Sequence, residues 1–169
     1  MAAITDLTTL AAADVVDADW LPIHDLSAGT DKKIARSSVV GLTGTFTPAI
    51  LFGGASTGIT YTTQAGYYSR INNRVWFSVQ IVLSNKGSAT GAASITNLPF
   101  ALSAGAVAYF GIWSGTTTSI LGLMGFHTST TAAFSLYHLT AASTGWTTTT
   151  DAVFANNTSI YMSGHYITS

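Results

Sequence analysis

The chain of 169 residues has no cysteine. That absence excludes disulfides, thiolate zinc sites and cysteine nucleophiles together, and it fits folding in a reducing cytoplasm. There is no glutamate either: all seven acids are Asp. Six of them (Asp6, Asp14, Asp17, Asp19, Asp25 and Asp31) fall in the first 31 residues, and Asp151 stands alone in the rest. Charged residues make up 8 % of the chain, against roughly a quarter in an average soluble domain. Six basic residues supply no electrostatic footprint for a phosphate backbone, so nucleic acid is not an expected partner. Long hydrophobic runs are missing as well. The best, Ala106 to Trp113, is far short of the roughly 20 apolar residues that cross a bilayer as a helix. The N-terminus lacks a basic leader with an apolar core and carries Asp6 and Asp14 instead, so neither a signal peptide nor membrane insertion is expected.

What is present is apolar and hydroxylated. Hydrophobic residues make up 47 % of the chain, and Ser and Thr together number 45. Mean hydropathy is +0.38. Disorder requires the opposite balance. Residues 37–169 carry only Arg70, Arg74, Lys86 and Asp151 as charges, whereas a soluble monomer keeps its surface wet with mixed charge. The composition therefore points to an oligomer that hides part of its surface.

Composition changes near residues 37–45, from acidic and Ala-rich to neutral and β-branched, and the linker is placed at Gly41-Leu42-Thr43-Gly44. This divides the chain into residues 1–44, an arm, and residues 45–169, a body. In the arm, Thr5–Ala12 reads as a short helix. Trp20-Leu21-Pro22-Ile23 reads as extended, and Lys33-Ile34-Ala35 as a strand pairing back across the turn residues Ser27 to Thr30. In the body, Arg74–Ser84 alternates apolar and polar residues with period two, the mark of a strand with one buried face. It follows Gly66–Asn72 across Asn72-Asn73, a pair that tolerates a tight hairpin turn. Further strands are expected at Phe46–Phe52, Ile59–Thr62, Ala92–Thr96, Ala106–Trp113, Ser119–Phe126, Ala133–His138 and Ser159–Ile167. Turns are expected at Gly53-Gly54, Asn85-Lys86-Gly87, Leu98-Pro99, Ser114-Gly115 and Asn156-Asn157. Short strands at this spacing predict an all-β fold, a β-sandwich or jelly-roll-like body.

The chemistry available is thin. Glycoside hydrolysis normally takes two carboxylates, and the body has Asp151 alone. His24, His127, His138 and His165 form no ligand-spaced pair, so no metal site is expected and each reads as a polar residue at a strand end or subunit contact. The Gly53–Gly58 stretch lacks the lysine and helix of a phosphate cradle and reads as a turn; no cofactor is expected. Trp113, Trp146, Tyr109, Tyr137 and Tyr166 could offer flat faces to a sugar or fill a core or interface. Trp113 reads as core. Trp146, in the polar loop Ser143–Thr150, stays open as a glycan or partner contact.

The arm, with Leu21-Pro22-Ile23, Asp25, Ser27 and Lys32-Lys33-Ile34, resembles the N-terminal segment of bacteriophage virion appendage proteins. The body, with Phe46-Thr47-Pro48, Gly66-Tyr67-Tyr68, Val75-Trp76-Phe77, Gly87, Gly91 and Ile95 to Phe100, resembles the β-rich knob of phage tail-fibre and virion surface proteins. The two matches run from about Asp17 to Phe100. The resemblance implies a homotrimeric, non-enzymatic structural protein of the phage particle, assembled in the host cytoplasm, with Trp20, Leu21, Ile23, Asp25, Lys33 and Ile34 as the docking arm. Arm passes to knob with no shaft between, and an extended arm of this length would span on the order of 100 Å. The favoured expectation is a capsid decoration (cement) protein docked on the major capsid protein. The alternative is a short tail fibre whose knob recognises host-surface glycans.

Overall fold

A computed structural model describes residues 20–25, 30–35, 41–103, 106–127, 131–142 and 144–168. The chain divides into two compact units with the boundary between Leu42 and Thr43. In the first, strands β1 (Trp20–Asp25) and β2 (Thr30–Ala35) form an antiparallel hairpin with Leu21 opposite Ile34 and Asp25 opposite Thr30. Each strand of a two-stranded ribbon has an open edge, which is where a proline such as Pro22 fits. The two extended pieces expected there are therefore present and paired. The helix expected over Thr5–Ala12 lies outside the described residues.

The second unit holds ten strands in one antiparallel hydrogen-bonded network. In chain order they are β3 (Leu42–Phe46), β4 (Ala49–Phe52), β5 (Thr60–Ile71), β6 (Arg74–Asn85), β7 (Ala93–Thr96), β8 (Ala106–Thr116), β9 (Gly122–His127), β10 (Phe134–Leu139), β11 (Thr147–Thr148) and β12 (Phe154–Ile167). A 3₁₀ turn, Asp151–Val153, precedes β12. The spatial order is β3-β5-β6-β12-β8-β9-β10-β7-β4, with β11 paired to β10. The alternation along β6 does what the sequence required: Val75, Phe77, Val79, Ile81 and Leu83 are buried, and the intervening residues face outward. Ile71 pairs with Arg74 across Asn72-Asn73. Only Asn72 takes positive φ, +53°, the signature of a two-residue turn left-handed at its first position.

Four expected boundaries are corrected. Phe46–Phe52 is two strands, because the turn at Thr47-Pro48 lacks an amide donor at Pro48 and sends β3 and β4 to opposite ends of the network. Ile59–Thr62 and Gly66–Asn72 are one strand, β5. There Tyr61 pairs with Leu83 and Thr63 with Val82, so Thr62 is absorbed as an inserted residue. The turns expected at Ser114-Gly115 and Asn156-Asn157 lie inside strands β8 and β12. Gly115 (φ +69°) and Asn157 (φ +68°) face one another across a register shift between Phe154 and Ser159. Thr158 holds this bulge together. Its Oγ1 accepts the Ala155 N–H at 2.9 Å and donates to the Gly115 carbonyl at 2.7 Å.

The network folds over on itself, so the expected two-layered all-β body is made from strands joined in one path. Inward residues of β6 and β12 meet those of β4, β7 and β10. Phe77 stacks on Phe134 with ring centroids 5.6 Å apart, Phe52 lies 5.0 Å from Phe154, and Tyr166 meets Phe134 edge-on at 6.3 Å. Ile50, Ile81, Ile95, Leu136 and Ile160 fill the rest of this core. Trp113 is half-buried against it, as expected of a core residue.

Candidate binding face

The six residues assigned to the docking arm lie on β1 and β2. Register puts Leu21 opposite Ile34, Trp20 opposite Ala35 and Lys33 opposite Pro22. The six therefore do not form one cross-strand row.

Asp151 is engaged in holding loops together. Its Oδ1 accepts the Gly91 N–H at 2.8 Å, and its Oδ2 lies 3.2 Å from Lys86 Nζ. The Gly91 hydrogen bond first, and Lys86 second, hold its carboxyl below the ordinary carboxylate range. A lowered folded-state value means that Asp151 stabilises the body above the unfolded carboxylate range, and that this contribution is lost as pH falls through the folded value. Asp151→Asn should lower the urea midpoint at neutral pH. Variant and parent should converge only well into acid, as pH falls from the unfolded carboxylate range near roughly pH 4 through the lower folded-state value. Parallel midpoint–pH curves for the two proteins would remove this role.

The three histidines of the body differ in their surroundings. His127 ends β9, buried edge-on to Phe134 at 6.1 Å. His138 on β10 is buried with Nδ1 3.2 Å from Thr149 Oγ1, and His165 is exposed on β12. No group of three metal-ligating side chains occurs among the described residues. Gly54-Ala55-Ser56-Thr57-Gly58 has the Gly-x-Ser-x-Gly spacing of a nucleophile elbow. An elbow needs a strand-to-helix turn. Here Phe52 and Ala55 exchange backbone hydrogen bonds of 2.9 and 3.0 Å, and the segment leads into strand β5, so it is a turn.

The aromatic candidates separate by burial. Tyr166 is 1 % exposed. Its hydroxyl donates to the Phe100 carbonyl at 3.1 Å and accepts the Phe100 N–H at 3.3 Å. Burial pushes its pKa up to about 12, against opposing pulls from Phe100 and Arg70. It is a core residue and no sugar platform. Tyr137 is half-buried and meets Phe126 edge-on at 6.4 Å. Trp146 is 47 % exposed. One edge of its ring rests over Gly122 of β9, where a Cβ would lie 3.0 Å from it.

A second set of rings gathers on the outer face of β5, β6 and β12. Tyr67, Trp76 and Tyr161 are exposed there. Register places Tyr67 beside Ser78, Ser78 beside Ser163, and Gln80 beside Tyr161. Between Tyr67 and Tyr161 lies a shallow hollow of about 290 Å³ floored by Ser78, Gln80 and Ser163. A second hollow of about 280 Å³ continues past Tyr67 and Ser78 to Trp76. Gln80 Nε2 donates to Tyr161 Oη at 3.0 Å. The signal for this face was in the sequence: Trp76 interrupts the polar side of an alternating strand.

The body is thus an all-β domain built on one folded-over antiparallel network, without a recognisable catalytic cluster among its described residues. The Dettilon tailspike protein shares this fold: it superposes with a TM-score of 0.61 and 20 % identity over 76 % of this chain. The match takes in 24 % of the tailspike chain, so this chain corresponds to about a quarter of that protein. No protein-family profile matches the sequence, and no curated protein matches it.

Proposed function

We propose that this chain is a non-enzymatic structural protein on the surface of a bacteriophage particle, self-assembled as a homotrimer. Residues 1–44 are its docking arm and the β body its outward domain. The observation that carries the reading is a body with a tailspike-like fold preceded by a hairpin bearing Leu21-Pro22-Ile23 and Lys32-Lys33-Ile34. The charge pattern supports self-association. Of the four charges in residues 37–169, Lys86 and Asp151 neutralise each other. Arg70 lies 4.6 Å over the Phe100 ring and donates to the Asn72 carbonyl at 2.7 Å. Little charge is left to hydrate the body, which favours a symmetric assembly.

The first form of the reading is capsid decoration, docked on the major capsid protein. Weak arm contacts, made multivalent by the trimer, stabilise the shell by mass action. The second is a short tail fibre whose knob recognises host-surface glycans, and the tailspike-like fold fits either form. Quantitative gel analysis of purified particles tests both. A decoration protein is expected at many copies per particle and a tail fibre at few, with removal of residues 1–44 abolishing incorporation in either case. Absence of the chain from particles, or incorporation without its arm, defeats the proposal. Release of reducing sugar ends that Asp151→Asn abolishes would make it an enzyme instead.

A further inference from the structure

We infer that the outer face of β5, β6 and β12 binds an uncharged oligosaccharide lying across Tyr67, with Tyr161 at one end and Trp76 at the other. Three features specify the ligand. The walls are aromatic: Tyr67 is 60 % exposed, Trp76 42 % and Tyr161 38 %. Flat rings accept the C–H faces of a ring-shaped ligand and shed water from both surfaces. The floor is hydroxyl and amide. Ser78, Gln80 and Ser163 line the hollow, and such groups are costly to cover with a purely apolar partner that leaves them unpaired. A polyhydroxylated ligand pairs with them. Among the described residues no ionised side chain lines either hollow, so nothing described there compensates the desolvation of a carboxylate or phosphate.

Size and shape agree. Each hollow sits at or just below the lower end of small-molecule sites, on the order of 300 Å³, and the two are continuous through Tyr67 and Ser78. Outward positions along β6 recur about every 6.6 Å, so Trp76, Ser78 and Gln80 form a row. A row of this kind takes a chain of small units better than one compact molecule. Tyr161 is already oriented by its hydrogen bond from Gln80, which reduces the ordering cost of binding. Leu121, exposed just before β9 and outside both hollows, is the natural control.

The biological use of such a site rests on the proposed virion-surface role, but the binding does not. Titration of the assembled full-length protein tests it directly. Neutral hexose and N-acetylhexosamine oligosaccharides of three to six units would be followed by Trp fluorescence and calorimetry, with sialylated oligosaccharides as the charged comparison. At least one neutral series should bind in the micromolar to millimolar range. Tyr67→Ala should weaken it tenfold or more, equivalent to about 1.4 kcal/mol, Trp76→Ala should shorten the preferred chain, and Leu121→Ala should leave it unchanged. Tyr67→Gln gives the same reading should the alanine variant misfold. Three results overturn the inference: no neutral oligosaccharide binds, binding survives loss of the Tyr67 ring, or Tyr67→Ala dissociates an oligomer in sedimentation, which assigns the face to a second copy. The particle copy number is unaffected by any of these, so failure here is separable from failure of the virion reading.

Discussion

Phe134→Ala should lower the unfolding free energy of the body by about 3–5 kcal/mol, the range for deleting a buried aromatic ring. Phe134 is fully buried on β10, yet two of its ring partners come from across the fold. Phe77 of β6 stacks on it at 5.6 Å, Tyr166 of β12 meets it at 6.3 Å and His127 of β9 at 6.1 Å. Its removal opens a cavity where the two layers meet, and neither layer can collapse into it without breaking strand register. Urea unfolding followed by Trp fluorescence should show a lower midpoint with an unchanged slope. Because whole domains are stable by only about 5–15 kcal/mol, Phe134→Leu provides a milder variant should the alanine form not fold. Phe126→Ala, at a half-buried ring of β9, should cost clearly less. Equal costs at the two positions would mean that the layers do not pack through Phe134.

Gly87→Ala carries the other large expected effect. Gly87 has φ +73°, a region that costs a side-chain-bearing residue about 1–2 kcal/mol. Space is the greater obstacle. A Cβ there would collide with the Thr57 carbonyl oxygen and stand 2.6 Å from the Ile59 nitrogen, both backbone atoms that no rotamer change can move. The loop after β6 would have to lift from the turn before β5, breaking the Ser88 N–H bond to the Thr57 carbonyl. Lys86, one residue away, would be drawn off Asp151. Gly54 is the matched control: its φ is +83° and no atom lies within 4 Å of its Cβ position. Gly54→Ala should therefore cost the backbone penalty alone, and Gly87→Ala about 3 kcal/mol or more. Equal midpoints for the two variants would show that the loops do not approach this closely.

Phe134 and Gly87 also mark how far a sequence can be read. The inward side of β6 was legible because period two over a dozen residues has one physical meaning: a strand with one face in the core. The β5–β6 hairpin was legible from Asn72-Asn73, and the arm hairpin from two extended pieces flanking turn residues. Asn156-Asn157 and Ser114-Gly115 misled because local chemistry reports a backbone conformation, here positive φ, and not its use. The same φ serves a turn or a bulge, and only the partner strand decides which. Trp76 and Tyr166 show the same limit. Residue type shows that a ring wants a partner, whereas burial depends on which face of which strand lies inward.

The amino-acid sequence by itself determined an all-β body, the dearth of charge that calls for a partnered surface, and the lack of a second carboxylate in residues 37–169. These follow from composition and periodicity, which act locally. The tertiary structure alone decided that β3 and β4, adjacent in the chain, sit at opposite ends of one network, that Asp151 clamps Lys86 and Gly91, and that Tyr67, Trp76 and Tyr161 share a face. Those juxtapositions arise from strand pairing between residues up to about ninety positions apart. Such pairing is selected by the fit of whole faces, which no local pattern contains.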